Sequence, residues 1–284
     1  MLFSPANNNK MLMTAHLKHP DCIIFDLKDS VYYSEKENAR RMLCEAIKKT
    51  NYGDCEIFAR INALNTPFGE KDVQDLVKSG IKNISIPMCE SKEDINVLEE
   101  MLTYYENEYG RESGEIKIQG AIETPKGVLN ALEIATANRR VVSISFGGED
   151  YTNCLGINRL KTSMEFLYAR SHIVLCANVA GIDAIDMVYS DIRDISGFKR
   201  EAEEAKNLGF SGKSCIHPSQ VIKVHEIFSP TLEETENALK IVNAAYDAEK
   251  RGIGVITVDG RMIDKPIIEK AERIVRLSKG SILI

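Results

Sequence analysis

The sequence has no tryptophan, and aromatic residues make up only 7% of its 284 residues. A chain so poor in large rings offers no stripe of aromatic side chains on which nucleic-acid bases could stack. The 36 basic and 42 acidic side chains give a formal charge of −6, which argues against a broad basic surface for nucleic acid. Composition therefore predicts no nucleic-acid partner and favours small-molecule chemistry.

Long apolar segments are also missing from the sequence. Nowhere do about 18 apolar residues follow one another, and the opening MLFSPANNNK has no basic region ahead of an apolar stretch. The seven cysteines are an odd number and form no C-x-x-C pair. These features predict a cytoplasmic protein with reduced thiols, no export signal and no membrane contact.

Common catalytic signatures are absent as well. The sequence contains no G-x-x-x-x-G-K-[ST], no G-x-G-x-x-G and no H-E-x-x-H, so the commonest NTPase, dinucleotide-binding and zinc-protease motifs are excluded. The 18 glycines and 8 prolines are ordinary numbers, and 44% of the residues are hydrophobic. This balance predicts a folded protein with one large core, or two small domains.

Short β-rich runs alternate along the chain with longer segments of helical periodicity, which is typical of parallel βα units. Runs such as CIIFDL and VSISF are apolar almost throughout, as expected for strands covered on both faces. Eight such units predict a TIM (β/α)8 barrel over residues 1–228, with a doubly wound sheet as the alternative. The candidate strands are Leu2–Ser4, Cys22–Leu27, Glu56–Ile61, Asn83–Pro87, Ile116–Ile122, Val141–Phe146, Gly181–Val188 and Ser214–Ile216.

The pattern changes after the eighth unit. Pro230 and Thr231 open a predicted helix that runs to about Lys250, and the stretch GIGVITVDGRMIDKP leads to a last helix from about Ile267. We predict that residues 229–284 are an extra C-terminal segment of helices and a hairpin that makes a subunit contact and forms an active-site lid. The alternative is a cap on the side of the barrel.

Side chains at the C-terminal ends of barrel strands face the active site. Glu123 and Asp150 follow consecutive predicted strands, which lie about 4.8 Å apart, so both carboxylates can reach one cation. Mg²⁺ is the natural candidate, because it prefers oxygen ligands and is typically held by one or two carboxylates. The alternative is that either acid caps the helix that follows it.

Three further residues stand at strand ends. Gly147 and Gly148 lack a Cβ, so their backbone can approach an anion closely or form a tight turn. Arg60, within IFARIN, needs a buried partner, which is either a substrate carboxylate or thioester oxygen, or a neighbouring acid in a structural ion pair. From spacing alone, both interpretations remain open for each of these residues.

Many ordered blocks of the chain carry a resemblance that runs nearly end to end. They include LFSPANNNK, IIFDLKDSV, RINALNTPFG, ISIPMCES, AIETPKGVLNA, SFGGEDYTNCLG, LGFSGKSCIHPSQ and VDGRMIDKPIIEKA. Together these blocks resemble the citrate lyase beta subunit family and related acyl-CoA-ester lyases of the HpcH/HpaI aldolase superfamily. So many blocks in one order are far more specific than any single motif.

The resemblance implies a magnesium-dependent carbon–carbon lyase in which Glu123 and Asp150 are the metal ligands. It implies that Arg60 is a catalytic arginine that also binds substrate. It further implies that Asp264 enters the site of a neighbouring subunit as acid or base, within a homotrimer. The substrate-binding set that we predict is Lys28, Asp29, Arg60, Glu123, Gly148 and Glu149.

The reaction implied by the resemblance is cleavage of a 3-hydroxy-acyl thioester, such as citryl-CoA or a citryl-carrier protein, to an acetyl thioester and oxaloacetate. The partners implied are therefore an acyl-CoA or acyl-carrier-protein thioester and other subunits of a citrate lyase complex. One alternative is a free-standing lyase for citramalyl-CoA or malyl-CoA, or a pyruvate aldolase. Another is a non-catalytic subunit of a lyase complex.

Two positions depart from the family pattern. Lys28 stands where the family usually has glutamate in D-L-E-D, and Met88 stands where it usually has lysine after proline. A carboxylate has thus become a cation at one strand end, and a cation has been lost two strands further on. We hypothesise that the Lys28 ammonium takes over the space or the anion contact of the missing lysine.

Overall fold

A computed structural model of the chain describes residues 1–250 and 255–281. Its contacts divide the chain into two compact units, Met1–Val224 and His225–Ile284. Within the described ranges, no helix is both long enough and apolar enough to cross a lipid bilayer.

Eight parallel strands form the core of the first unit. They are β1 Leu2–Pro5, β2 Cys22–Asp26, β3 Glu56–Arg60, β4 Asn83–Ile86, β5 Lys117–Ile122, β6 Val141–Phe146, β7 Asp183–Asp186 and β8 Gly212–Lys213. Each strand pairs with the next in chain order. The ring closes where the Phe3 N–H donates to the Cys215 carbonyl and the Cys215 N–H donates to the Met1 carbonyl, both at 2.8 Å. The predicted TIM barrel is confirmed, and the doubly wound alternative is wrong because the strand order never reverses.

Seven of the eight predicted strands agree with the structure to within two residues at either end. The eighth prediction is wrong in position, because the strand is Gly212–Lys213 and the predicted Ser214–Ile216 follows it. The strand was missed because Lys213 is a charged residue and interrupts the apolar run by which a buried strand is predicted. Its side chain is nevertheless fully buried. Burial is possible because the Lys213 Nζ donates to Asp186 and Glu201, both at 2.8 Å.

Helices follow the strands around the barrel. They are α1 Asn9–Thr14, α2 Lys36–Lys49, α3 Gly69–Ser79, α4 Lys92–Glu108, α5 Pro125–Leu129, α6 Ala131–Ala135, α7 Gly148–Leu155, α8 Leu167–Ala180, α9 Ile195–Leu208 and α10 Pro218–Phe228. Pro125 opens α5, and the Thr124 hydroxyl caps it by accepting from the Gly127 N–H. Gly209 ends α9 in a left-handed conformation with φ of +102°.

The second unit contains two helices and a hairpin. Helix α11 (Leu232–Glu249) begins with a capping box at Thr231 and packs against α12 (Lys265–Ser281). Strands β9 (Ile256–Val258) and β10 (Arg261–Ile263) are antiparallel, and Asp259 and Gly260 join them with positive φ angles of 48° and 77°. This Asp-Gly turn has the backbone of a type I′ hairpin. The extra C-terminal segment with a hairpin is confirmed, while its roles in subunit contact and as a lid stay predictions.

A buried ion pair fastens the N-terminal ends of β5 and β6 to α4. Arg140, one residue before β6, donates from Nη1 and Nη2 to both oxygens of Glu106, at 2.8 and 2.7 Å. Glu106 also accepts the backbone N–H groups of Gly114 and Ile116, just before β5. Both oxygens of the Glu106 carboxylate are paired. The Arg140–Glu106 ion pair, which we call the clamp, therefore stabilises the barrel end opposite the strand C-termini.

We expect Glu106→Gln to lower the free energy of unfolding by about 3 kcal/mol, because the buried Arg140 guanidinium loses the carboxylate that binds both of its Nη groups and keeps the longer contact with the Glu99 carboxylate, at 3.4 Å. Urea denaturation measures the loss. The matched control is Glu45→Gln, whose carboxylate is half exposed and pairs with exposed Arg41 and Lys49. The control should change stability by less than about 0.5 kcal/mol. Equal effects of the two substitutions would contradict the clamp.

Candidate active site

A cavity of about 450 Å³ lies at the C-terminal ends of the barrel strands. Strand-end residues form most of its wall, which is where a TIM barrel places its active site. The wall includes Phe3, Ser4, Asp26, Asp29, Arg60, Glu123, Gly147, Gly148, Glu149 and Asp150. The topology thus brings most of the predicted site residues to one place.

Asp26 and Arg60 form the anchor of this cavity. The two residues end β2 and β3 and are direct partners in the strand register. The Arg60 Nε donates to Asp26 Oδ1 at 2.7 Å. Burial by itself would raise the pKa of Asp26, but the hydrogen bond and charge of Arg60 outweigh burial and lower that pKa to about 2. The structural ion pair, one of the two alternatives predicted for Arg60, is therefore present.

The rest of the Arg60 guanidinium reaches further into the site. Nη2 lies 3.1 Å from Asp29 Oδ2, and Nη1 lies 3.6 Å from Glu123 Oε1. The guanidinium also packs on the Phe3 ring, 5.1 Å from its centroid. Burial would lower the pKa of Arg60, yet the surrounding carboxylates raise it. Arg60 is a fixed, permanently charged group with one edge directed to Glu123.

Glu123 follows β5 and is only 4% exposed. Its Oε2 accepts the Met88 N–H at 2.9 Å, and burial raises its pKa in spite of the nearby Lys28 and Arg60. Gly147 makes room for this side chain, because a Cβ there would come within 2.6 Å of the Glu123 Cγ. The φ of Gly147 is −107°, so close approach and not a left-handed turn explains this glycine.

Lys28 lies between the two acids that were predicted to hold a metal. Its Nζ is 3.1 Å from Glu123 Oε2 and 3.3 Å from Asp150 Oδ2. A third carboxylate oxygen, Asp29 Oδ2, is also 3.3 Å away. Burial would lower the pKa of Lys28, but these three carboxylates outweigh it and raise the pKa. The ammonium thus contacts three carboxylates of this chain, while its replacement of a family lysine stays a hypothesis.

The backbone that carries Lys28 is held from both sides. Its N–H donates to Asp26 Oδ1 at 2.9 Å. Its carbonyl accepts from the Lys36 Nζ at 2.7 Å, and the same Nζ donates to Asn62 Oδ1 at 2.6 Å. The backbone of the segment after β2 is therefore fixed, whereas the Lys28 side chain can still rotate about the bonds of its four-carbon chain.

Glu123 and Asp150 fit a magnesium ion by donor chemistry, since both offer hard carboxylate oxygens. Among the residues described, no group of three or more histidine, cysteine, aspartate or glutamate side chains is arranged to hold a metal. A magnesium ion on this pair would thus take its other ligands from water or substrate, as magnesium commonly does. The Lys28 ammonium, which lies next to both carboxylates, would have to make way.

The other predicted residues differ in position. Gly148 opens α7 and is packed so tightly that a Cβ would come within 2.5 Å of the Met187 Sδ. Glu149 lines the cavity, but its carboxylate pairs with Arg159. Asp264 belongs to the second unit, just before α12, and in the described part of the chain its buried Oδ1 has no hydrogen-bond partner.

Sequence reasoning missed three contributors to the site. Asp26, the last residue of β2, is the partner that fixes Arg60. Phe3 and Lys36 were not considered, and they support Arg60 and the Lys28 backbone. The signal for Asp26 was its position at the end of the apolar run CIIFD, because side chains at the C-terminal ends of barrel strands face the active site.

A closed parallel barrel that gathers carboxylates, a lysine and an arginine in one cavity at its strand ends defines an enzyme of the (β/α)8-barrel class. The family model described as HpcH/HpaI aldolase/citrate lyase matches residues 1–218. The citrate lyase subunit beta of Leuconostoc mesenteroides subsp. cremoris is 39% identical over 284 residues, which cover 100% of this chain and 94% of the relative. The chain therefore belongs to the HpcH/HpaI aldolase/citrate lyase family and is a carbon–carbon lyase, which confirms the resemblance.

Two further similarities bear on the chemistry. The mitochondrial citramalyl-CoA lyase of Homo sapiens is 30% identical over 289 residues, covering 98% of this chain and 84% of the relative. The structure of CitE from Mycobacterium tuberculosis in complex with magnesium, acetoacetate and coenzyme A is similar with a TM-score of 0.79 and 27% identity. It covers 98% of this chain and 97% of that chain.

We expect the Asp26–Arg60 pair to make stability depend on pH in the acid range. Because the pKa of folded Asp26 is about 2 against an ordinary 3.8, the pair stabilises the fold above pH 3.8 and is lost as the pH falls towards 2. Between pH 5 and pH 3, urea denaturation of the wild type should lose about 1 kcal/mol more than that of Asp26→Asn. Identical pH slopes for the two proteins would contradict the assignment.

Proposed function

We propose that this lyase is magnesium-dependent and cleaves a 3-hydroxy-acyl thioester, with a citryl thioester as the first candidate substrate. One observation carries the proposal, which is that Glu123, Asp150 and Arg60 meet in one cavity at the strand ends. This set combines oxygen ligands for a hard cation with a fixed positive charge for an oxyanion. The magnesium, acetoacetate and coenzyme A named for the similar CitE structure support the same chemistry.

The choice of acyl group rests on similarity. Identity is 39% to two bacterial citrate lyase beta subunits and 30% to human citramalyl-CoA lyase. A citryl thioester, giving an acetyl thioester and oxaloacetate, is therefore the first candidate. A citramalyl thioester is the second, since that relative also matches along 98% of this chain.

The reaction breaks one carbon–carbon bond. The hydroxyl of the substrate passes its proton to a base, the part that Asp264 would take first, and becomes the carbonyl of the keto acid. The bonding electron pair moves to the thioester and forms an enolate, which takes up a proton at carbon to give the acetyl thioester. Negative charge therefore develops first on the hydroxyl oxygen and then on the thioester oxygen, and the site must stabilise both.

The residues divide this work according to position. Glu123 and Asp150 would hold the magnesium ion, which supplies a Lewis acid for the hydroxyl and carboxylate oxygens of the substrate. Arg60 would face the enolate oxygen, since its Nη1 makes the longest of its ion contacts, 3.6 Å to Glu123. Asp264 would return the proton to the new methyl carbon.

The partners and assembly belong to the same proposal. The thioester would be carried on coenzyme A or on an acyl carrier protein, within a complex of citrate lyase subunits. We propose a homotrimer in which residues 229–284 contact the neighbouring subunit and cover its active site, with Asp264 supplied across that contact. A cytoplasmic location fits the seven cysteines, all of which are free thiols.

An assay of the purified protein tests the reaction directly. We expect keto acid release from citryl-CoA in the presence of magnesium, slower release from citramalyl-CoA and malyl-CoA, and none after addition of EDTA. Cleavage that survives EDTA would contradict the metal. If no thioester is cleaved, the substrate is carrier-bound or the chain is a non-catalytic subunit, and assay with acylated carrier protein separates these outcomes.

We expect Asp150→Asn to lower kcat by at least about 100-fold, because one oxygen ligand and one charge of the metal site are lost. The matched control is Glu90→Gln, an acid at the same end of the barrel whose carboxylate pairs with exposed Lys126. The control should keep its kcat within about twofold. Wild-type turnover of Asp150→Asn in magnesium would remove Asp150 from the metal site.

Co-expression of two inactive variants tests whether Asp264 acts between subunits. Asp150→Asn and Asp264→Asn should each be inactive alone. Random mixing into trimers places an intact Asp150 beside a neighbour's intact Asp264 in about a quarter of the sites, so about a quarter of the wild-type activity should return. Activity that does not rise above that of the separate variants would show that Asp264 does not complete a neighbour's site.

A further inference from the structure

The position of Lys28 has a consequence for metal binding. Its ammonium lies 3.1 and 3.3 Å from one oxygen each of Glu123 and Asp150. A magnesium ion bound to these carboxylates lies about 2.0–2.1 Å from their oxygens. A divalent ion and an ammonium on the same two carboxylate oxygens would lie only a few ångströms apart, where two positive charges repel each other. The two cations therefore exclude one another.

Charge balance favours exchange over permanent blocking. Arg60 is bonded to Asp26 and reaches Glu123 only at 3.6 Å, so among the described residues Lys28 is the one cation in close contact with both Glu123 and Asp150. A divalent ion brings twice the charge of this ammonium, so the two carboxylates are better matched by the metal than by Lys28. Before the metal binds, the Lys28 ammonium neutralises the Glu123 and Asp150 carboxylates only in part.

The Lys28 side chain can leave the carboxylate pair and still keep an ion pair with Asp29. The backbone at Lys28 is fixed by Asp26 and Lys36, so only the side chain needs to turn. Asp29, whose side chain is 55% exposed, already lies 3.3 Å from the Lys28 Nζ. An ammonium that leaves the carboxylate pair can thus keep an ion pair with Asp29 at the open side.

Arg60, the other cation beside Glu123, is held more firmly. It is bonded to buried Asp26 at 2.7 Å and packs on Phe3. Its contact with Glu123 is longer, at 3.6 Å, than that of Lys28, at 3.1 Å. Lys28 is therefore the cation whose departure opens the site.

We propose that Lys28 is a tethered competitor of the divalent metal, which occupies the Glu123–Asp150 site in the metal-free enzyme and turns out of it when the metal binds. The inference rests on the proposed function, because it takes these two acids as the metal ligands. Metal binding and release of the Lys28 side chain are then one coupled step. The enzyme binds its metal more weakly than the same site without the lysine.

Binding of Mn²⁺ to the full chain, measured by electron paramagnetic resonance without substrate, tests the competition. Lys28→Met should bind Mn²⁺ at least about tenfold more tightly than the wild type, since the competing charge is gone. The matched control is Lys126→Met, which removes a lysine from the same end of the barrel, where its Nζ pairs with Glu90 at 3.2 Å. The control should bind Mn²⁺ as the wild type does.

The outcomes separate the inference from the proposed function. Equal, measurable affinities of wild type and Lys28→Met would overturn the competition while leaving the metal site in place. If neither protein binds Mn²⁺, the metal assignment falls, and the inference falls with it. Tighter binding by both Lys28→Met and Lys126→Met would reduce the effect to general charge and overturn the role of Lys28.

A second measurement uses the wild type, so it holds even if Lys28→Met does not fold. Lysines are acetylated with N-hydroxysuccinimidyl acetate with and without Mg²⁺, and the modified peptides are quantified by mass spectrometry. Lys28 should react at least about threefold faster with Mg²⁺, because its side chain is then no longer held between the carboxylates, while Lys126 should not change. The increase should disappear in Asp150→Asn. A Lys28 rate that Mg²⁺ leaves unchanged would overturn the proposal.

Discussion

Compensation of buried negative charge is the constraint on which the C-terminal end of this barrel depends. Asp26 and Glu123 are 2% and 4% exposed, so each needs a positive or hydrogen-bonding partner in place of water. The Arg60 guanidinium supplies it for Asp26, and the Lys28 ammonium with the Met88 N–H supplies it for Glu123. The positions of both cations follow from this requirement, and with them the shape and charge of the cavity.

The same physical rule produces a different result elsewhere in the barrel. Glu106 has both oxygens bonded to Arg140, and buried Asp186 is held by Arg170 and Lys213. These carboxylates are fully paired, and they stabilise the fold. Glu123 and Asp150 share one ammonium, and the Asp150 side chain is 41% exposed. Because this pair is incompletely neutralised and open to the cavity, it can exchange its cation.

Lys28 and Met88 belong to one electrostatic arrangement around Glu123. Met88 contributes no charge, yet its backbone, at a φ of +50°, directs an N–H to Glu123 Oε2. Lys28 brings a positive charge to the same oxygen from the end of β2. The site therefore keeps a cation beside Glu123 but places it between the two carboxylates. In a lyase that must stabilise developing oxygen charge, this arrangement connects the binding of a cation to the movement of a side chain.

The barrel could be predicted from sequence, because strands buried on both faces are apolar runs and the intervening helices have clear caps, such as Thr124–Pro125. Glu123 and Asp150 could be predicted to lie near each other, because the C-terminal ends of parallel strands are all at the same end of the barrel. The two-residue strand Gly212–Lys213 could not, since its buried lysine is matched by acids distant in sequence. Nor could the position of Lys28, which contacts an acid 95 residues away. Sequence alone determined which residues reach the strand ends. Only the tertiary structure decided which charges meet, because barrel closure and strand register set those distances.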